Sequence, residues 1–458
     1  MDFEAVDFLK RYLDRYPALR TRLRADPPSV RCGKRWVAVR RWRLQEGGIR
    51  LKTGAGKWVA LDAPGRLRFQ RSNFRPVFLK ALKRHQHPWR IERVQTATDR
   101  NRHQTAAFLR VLLCSRGQQP RWRAVLAAYP EPGSEMPERL LTSALLWWDR
   151  LCASGRRPQE LRFYLPSSWS RRVVELFPHL TLPIACFSYR ESAIDSPDAF
   201  RKIYPLSLLS SQVRSPYVIY PYAGPVPTPL KELQQEHPDL ELLYRKKRWE
   251  LSWRGYPLAW QQEDGLWFGR GPGVKLQPWN RTRLEHFINE LRRLRNPLAP
   301  HPERPEYRWG PERWLESLLL QDHRLIDPEF GEEVYSQVPT DLGGQRQVID
   351  ALTVTRQGRL AVIEIKAAQD LGLLFQGVDY WDRVQHHLRR RDFQNAGYFP
   401  GRTLTLDPPL LYLVAPLFDF HRVNPVLRRY LSPQVPLRCV GINSDWRKGV
   451  RVLRRSAL

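Results

Sequence analysis

Two carboxylates and a lysine in one short stretch have the residue types and spacing of a metal-dependent hydrolytic site. Asp350 stands in the apolar run VIDALTV, and Glu364 and Lys366 stand in the next run, AVIEIKAA. A turn at residues 356–358 separates the two runs and predicts a β-hairpin. Side chains two apart on a strand point the same way, so Glu364 and Lys366 share a face, and Asp350 meets them from the partner strand.

A carboxylate pair inside an apolar hairpin is unfavourable unless it is neutralised, and a divalent cation neutralises it. Oxygen ligands that leave positions open for water and a substrate phosphate suit Mg²⁺ or Mn²⁺. The hairpin is therefore predicted to hold one of these two cations. The structural alternative is that each acid is simply a salt-bridged or edge-exposed residue, which is the commoner role of a single acid in a strand.

The order Asp, hairpin, Glu-x-Lys resembles the core of the PD-(D/E)XK nuclease superfamily. After the lysine, Gln376-Gly-Val-Asp-Tyr380 is similar to the Gln-x-x-x-Tyr motif of the RecB-like and phage-exonuclease-like branch. This family also places a metal-facing glutamate on the helix before the hairpin, and the segment RWLESLLLQ offers Glu316 there. The resemblance covers roughly residues 307–453.

The resemblance implies a metal-dependent nuclease that hydrolyses phosphodiester bonds, with DNA favoured over RNA. The groups implied to contact the Mg²⁺ or Mn²⁺ ion are Asp350, Glu364, the Ile365 carbonyl and Glu316, the last directly or through water. Lys366 would orient the attacking water and stabilise charge that develops on the phosphate. Gln376 and Tyr380 would hold the substrate backbone, although residues one helical turn apart are also compatible with packing against the sheet.

The composition is typical of a nucleic-acid-binding protein. The chain of 458 residues has 76 Lys and Arg against 46 Asp and Glu, a formal charge of +30, with 17 Trp interleaved. Arginine suits bidentate phosphate contact, and the excess of charge is larger than solubility requires. No stretch is long and apolar enough to span a membrane, and no signal peptide is evident, which predicts a cytoplasmic protein. Five scattered cysteines, without CxxC spacing, predict reduced thiols.

The chain also has no phosphate-binding loop of the GxxxxGK[ST] type, so a motor activity would come from a partner protein such as a helicase or a defence complex. A function of a different class stays open for the whole chain. It is a nucleic-acid-binding or ligand-gated defence effector in which binding, not cleavage, is the primary role.

The order of predicted elements repeats along the chain, which indicates an internal duplication. Trp148-Asp149-Arg150 falls on Trp381-Asp382-Arg383, although a chance likeness between unrelated αβ domains would look similar. The predicted fold class is α/β, with two αβ sandwiches like those of restriction endonucleases, each with a central mixed sheet and each preceded by a small β-rich module. The predicted domains are an N-terminal helix and β-rich module at 1–75, a degenerate nuclease-like domain at 76–220, a second β-rich module with a basic helix at 221–300, and the active nuclease domain at 301–458.

If the halves share one fold, the first half lacks the site. The expected equivalents of Glu316, Asp350, Glu364, Lys366 and Gln376 are Lys80, Arg110, Ala127, Tyr129 and about Ser143. None of these residues is an acid, so this half is predicted to bind no metal and to cut nothing. Lys80 and Arg110 are instead expected to contact substrate phosphates. One cutting centre predicts nicking, single-strand cleavage or end trimming.

Overall fold

The computed structural model describes most of the chain after residue 20. The described ranges are 21–22, 29–32, 35–45, 48–53, 58–61, 63–99, 104–129, 137–190, 193–194, 196–205, 217–222, 224–245, 248–299, 301–342 and 345–457, with side chains, apart from a few, from residue 74 onward. Within these ranges the chain is mixed α/β, with two antiparallel and two mixed sheets. Most of the predicted N-terminal helix lies outside the described residues.

The first sheet is a small antiparallel one, as the predicted β-rich module requires. Its strands are β1 (Thr21–Arg22), β2 (Ser29–Cys32), β3 (Arg35–Gln45), β4 (Gly48–Thr53) and β5 (Trp58–Leu61), paired in chain order. Thr21 and Arg22, which fall in the predicted N-terminal helical segment, are in strand β1. Helix α1 (Ala63–His85) follows and is continuous across position 75. Because Phe74 and Phe78 of α1 pack in the core of the next sheet, this helix belongs with that sheet and not with the β-rich module.

The second sheet is mixed and has six strands in the order β11-β10-β9-β8-β7-β6. These strands are β6 (Arg90–Gln95), β7 (Phe108–Cys114), β8 (Trp122–Ala128), β9 (Pro158–Pro166), β10 (Ile184–Tyr189) and β11 (Arg201–Ile203). The pairs β8–β9 and β9–β10 are parallel and the others antiparallel. Parallel neighbours need a crossover, which α2 (Pro137–Ala153) and α3 (Ser167–Val174) provide.

A third sheet, small and antiparallel, comes from the middle of the chain. After β12 (Tyr217–Ile219), its strands are β13 (Glu241–Arg245), β14 (Arg248–Trp253), β15 (Tyr256–Gln262), β16 (Gly265–Phe268) and β17 (Val274–Lys275). Helices α4 (Thr228–Glu236) and α5 (Arg281–Leu294) cover it, and both contribute leucines to its core. The basic helix predicted in this region therefore buries one apolar face.

The fourth sheet has seven strands in the order β12-β18-β19-β20-β21-β22-β23. Its later strands are β18 (Phe330–Leu342), β19 (Gln345–Thr355), β20 (Leu360–Ile365), β21 (Leu410–Pro416), β22 (Leu437–Ile442) and β23 (Val452–Ala457). The helices of this half are α6 (Pro305–Arg308), α7 (Pro311–Gln321), α8 (Leu373–Arg389), α9 (Asp392–Asn395) and α10 (Asn424–Arg428). β20 is buried along its whole length because helices cover both faces of the sheet.

β12 lies just before the predicted boundary at position 220 and pairs with a strand that lies beyond it. Tyr217 pairs with Leu342 and Ile219 with Thr340, so β12 is the edge strand of the seven-stranded sheet. The two mixed sheets are otherwise alike, because β6–β11 and β18–β23 have the same succession of antiparallel and parallel pairs. No helix among the described residues is long and apolar enough to span a bilayer.

The two mixed sheets pack into one core through α2 and α8. Trp147 of α2 and Trp381 of α8 belong to the same buried cluster. An ion network crosses this interface, where Arg172 pairs with Glu138 and donates from Nε to Asp379 Oδ2 at 3.2 Å. Such buried charges are favourable only when they are paired, so the network fixes how the halves meet.

Candidate active site

The predicted hairpin exists and brings the two acids together. β19 and β20 pair antiparallel with Ala351 opposite Ile363, a register that places Asp350 opposite Glu364. The Ile365 amide donates to Asp350 Oδ2 at 2.9 Å, which holds the carboxylate against the strand that carries Glu364. The hairpin turns tightly at Gly358, whose φ of +87° favours glycine.

Lys366 lies on the same side of the strand as Glu364, as alternation predicts. Its Nζ lies 2.8 Å from Glu364 Oε1 in a site where Glu364 has no exposed surface and Lys366 is 7% exposed. Glu364 Oε2 is buried and has no hydrogen-bond partner among the described residues. One carboxylate oxygen is thus paired, and the second is left without a donor in a place where an unmet polar atom is costly.

Glu316 reaches the site from α7, the helix before the hairpin. The amide of Gln337 joins two of the acids, because its Nε2 donates to Glu316 Oε2 at 2.9 Å and contacts Asp350 Oδ1 at 3.4 Å. Gln337 lies opposite Asp350 in β18 and has a φ of +54°, which is unusual for a residue other than glycine. Arg245 of β13 donates to Glu316 Oε1 at 3.2 Å, so the small β-sheet also contributes to the site.

Burial and mutual repulsion make both hairpin acids hold protons more tightly. Burial, with help from the Glu316 carboxylate, raises the pKa of Asp350 to about 7. Burial, followed by the charge of Asp350, raises the pKa of Glu364 well above its ordinary value. Burial alone would lower the pKa of Lys366, but Glu364 and Asp350 outweigh it and raise that pKa. The acids therefore favour a proton or a cation close to them.

Gln376 and Tyr380 lie on α8 and contact each other. Gln376 Nε2 donates to the Tyr380 hydroxyl at 3.2 Å, and Tyr380 is 5% exposed. Burial, together with the charge of Glu364, raises the pKa of the Tyr380 phenol. The tyrosine thus lies within electrostatic reach of the acids, whereas the described contacts of Gln376 do not include them.

Lys80 and Arg110 are in the other half, and the structure does not bring them together. Lys80 is exposed on α1, which packs on the same face of the six-stranded sheet as Leu109. Arg110 is 3% exposed and follows Leu109 on β7, so it points to the opposite face. The two residues therefore cannot contact one phosphate.

The three acids do not form a tight ligand set by themselves. Among the described residues, the one group of three His, Cys, Asp or Glu with ligand atoms within 4.8 Å of one another is Glu236, His237 and Glu285, on the surface of the third sheet. Glu316 is instead engaged by Gln337 and Arg245. The residues that fit a divalent cation best are Asp350 and Glu364, because Glu364 Oε2 has no donor, with Glu316 placed to contribute through water.

Sequence reasoning missed three residues of this site. Glu312 lies 3.9 Å from Lys366 Nζ, and its position one helical turn before Glu316 is a signal that would have found it. Gln337 carries no such signal, because its role depends on an unusual backbone conformation. Arg245 belongs to a separate sheet, and only the tertiary fold brings it to the acids.

No protein-family model matches the chain, and no curated protein is similar to it in sequence.

Proposed function

We propose that the chain is a metal-dependent nuclease that hydrolyses phosphodiester bonds, with DNA favoured over RNA as substrate, and that its cutting centre lies in the hairpin of the seven-stranded sheet. The observation that carries this proposal is the buried Glu364–Lys366 pair facing Asp350. A buried ion pair with an extra carboxylate beside it stabilises a fold only weakly. Two carboxylates and a lysine in one buried place are, however, groups that suit the hydrolysis of a phosphodiester. The substrate class is supported by the formal charge of +30.

Asp350, Glu364 and the Ile365 carbonyl would hold Mg²⁺ or Mn²⁺, with Glu316 contributing through water. Such an ion supplies polarisation of the phosphate and a lower pKa for a bound water. Lys366 adds a fixed positive charge beside Glu364, which favours the negative charge that grows on the phosphate oxygens. Gln337 keeps Asp350 and Glu316 at a set separation, and Gln376 with Tyr380, which lies within electrostatic reach of the acids, would hold the substrate backbone.

We further propose that the two halves are copies of one αβ unit. The succession of strand directions is the same in both mixed sheets, and each follows a small antiparallel sheet. The interface is reciprocal: Thr181 N donates to Tyr430 O at 2.9 Å, and Ser432 N donates to His179 O at 2.7 Å. These two bonds form an antiparallel β-bridge between Leu180 and Leu431, so the segments that follow α3 and α10 lie side by side.

Strand pairing in the first half shifts the residue that corresponds to Glu364 by one position from the one expected. Arg110 pairs with Leu126, as Asp350 stands opposite Glu364, so Leu126 and not Ala127 takes the place of Glu364. Ala127 packs in the core on the other face. The first half is still predicted to cut nothing, because it has no acid at this place. One cutting centre then predicts cleavage of one strand at a time.

A plasmid assay tests the proposal. Supercoiled DNA is incubated with Mg²⁺, Mn²⁺ or EDTA and with wild type, Asp350→Asn or Asp407→Asn, an aspartate outside the site. We expect metal-dependent conversion to the open circle before linear product forms, with Asp350→Asn inactive and Asp407→Asn active. Direct conversion to linear DNA would contradict the single centre. Linear DNA, single-stranded DNA and RNA are incubated in the same buffers, and no metal-dependent cutting of any of these substrates would overturn the nuclease.

A further inference from the structure

A basic cavity lies in the first half, away from the proposed cutting centre. It has a volume of about 740 Å³ and is bounded by β6, β7, residues 96–99 and 104 of the segment between them, and the C-terminal part of α2. Among the residues that the structure describes, its charged lining residues are Arg93, Arg110, Arg150, Arg156 and Asp99. Cavities of this size suit a ligand the size of a nucleotide, and four arginines against one aspartate select an anion.

Arg110 is the fixed member of this set. Its Nη1 donates to Gln104 Oε1 at 2.9 Å and to the Thr105 carbonyl at 3.0 Å, and its Nη2 donates to the Ala97 carbonyl at 2.8 Å. Gln104 is itself held, because its Nε2 donates to the Ser143 carbonyl at 3.2 Å. The loop therefore fixes the guanidinium before any ligand arrives, which reduces the entropy lost on binding.

The other arginines converge on the same space from different elements. Arg93 is exposed on β6, and Arg156 is exposed after the end of α2. Arg150 lies on the last turn of α2, where its Nε donates to the Leu146 carbonyl at 3.0 Å. A structural role for Arg110 alone would not account for three further cations around one cavity.

Electrostatics and an aromatic wall support the same reading. Burial, followed by the charge of Arg150, lowers the pKa of Arg110 to about 10. An anion between the two guanidinium groups would relieve this repulsion. Trp147 forms part of the wall, with its Nε1 donating to Gln95 Oε1 at 3.0 Å.

We propose that this cavity binds the phosphate of a nucleoside monophosphate, either a free nucleotide or the phosphorylated end of a DNA strand. Arg93, Arg150 and Arg156 supply the contacts that a phosphate monoester forms with guanidinium groups, around the fixed charge of Arg110. The inference goes beyond the cutting centre and does not depend on it, because binding here involves none of the hairpin acids.

The test is calorimetry in EDTA, where metal-dependent cleavage cannot occur. The probes are deoxyadenosine 5′-monophosphate, deoxyadenosine, and a twelve-residue oligothymidylate with or without a 5′-phosphate. The variants are Arg93→Gln/Arg156→Gln and Arg150→Gln. The matched control is Arg116→Gln/Arg121→Gln, which removes two exposed arginines of the same domain that do not line the cavity.

We expect at least one phosphorylated probe to bind about tenfold more tightly than its unphosphorylated counterpart, since one charge-assisted contact is worth that much. Each cavity variant should lose this preference by about tenfold or more, and the control should keep it. Preference for the free nucleotide or for the strand end identifies the source of the phosphate. Equal binding with and without phosphate, or equal loss in the control, would overturn the proposal whether or not the protein cuts DNA.

Discussion

The Lys366 ammonium lies 2.8 Å from Glu364 Oε1, at a place where Glu364 has no exposed surface. Each charge is therefore tolerated chiefly because the other is present, and Asp350 adds a second negative charge beside them. These buried charges can bind a metal ion, and they also make the stability of the fold sensitive to the loss of any one of them.

The first prediction concerns that vulnerability. Lys366→Met should lower the free energy of unfolding by about 3–5 kcal/mol in EDTA, because it leaves a buried carboxylate unpaired. Adding Glu364→Gln should restore most of this loss, since neither partner then carries a charge. Urea denaturation of the two single variants and the double variant measures the coupling. If the losses of the two single variants added up to the loss of the double variant, the interaction between Lys366 and Glu364 would contribute nothing to stability.

The second prediction separates the two glutamates of α7. Glu316→Gln should reduce cleavage by about 10- to 100-fold, as expected of a group that orients metal ligands. Glu312→Gln should change cleavage by less than about fivefold, because its side chain is 51% exposed and contacts Lys366 only at 3.9 Å. Rates under single-turnover conditions in Mn²⁺ measure both. If both substitutions lowered the cleavage rate equally, Glu316 would have no specific role in the proposed active site.

The third prediction concerns the interface between the halves. Arg172→Met should destabilise the protein by about 3–5 kcal/mol, because Glu138 then loses its buried partner and Asp379 keeps only Arg383. The adjacent Arg171 is 43% exposed in its side chain, so Arg171→Met should cost about 1 kcal/mol or less. Chemical denaturation compares the two. A similar small loss in both variants would show that the network does not hold the halves together.

The fourth prediction is a pH dependence. Burial, followed by the nearby His387, lowers the pKa of His386 to about 4 in the folded chain. The unfolded chain takes up this proton near pH 6.5, so the contribution of neutral His386 is complete above that pH and is lost as the pH falls towards 4. His386→Gln should therefore show a shallower loss of stability between pH 6.5 and 4, by well under the ~1.4 kcal/mol per pH unit of one full proton, because solvent screens this half-buried ring. Identical slopes in denaturation series would contradict it.

Local signals were enough to predict the hairpin. Alternation places Glu364 and Lys366 on one face, and the turn at Gly358 forms within the predicted turn at residues 356–358. A side chain at Gly358 would also collide with the Thr403 carbonyl, at 2.3 Å from a Cβ, which is a tertiary reason for glycine that no local pattern reveals. The two small antiparallel sheets lie where the sequence predicts β-rich modules.

The remaining features depend on contacts between distant segments. The joining role of Gln337 follows from its positive φ, and Arg245 reaches Glu316 across a sheet boundary. Helix α1 continues across the predicted boundary at position 75, because apolar residues on both sides of it belong to one helix. The pairing of β12 with β18, across the predicted boundary at 220, is set by tertiary structure.

The most direct test of the nuclease proposal is to measure whether the Lys366→Ala variant still cleaves DNA. Lys448→Ala is the matched control, because Lys448 is an exposed lysine of the same half. Both are compared with wild type on linear and circular, single- and double-stranded DNA in Mg²⁺, Mn²⁺ and EDTA. We predict metal-dependent cutting by wild type and Lys448→Ala, and DNA binding without cutting by Lys366→Ala. Tight binding by all three proteins with no cutting by any would contradict the nuclease and favour an effector that acts by binding.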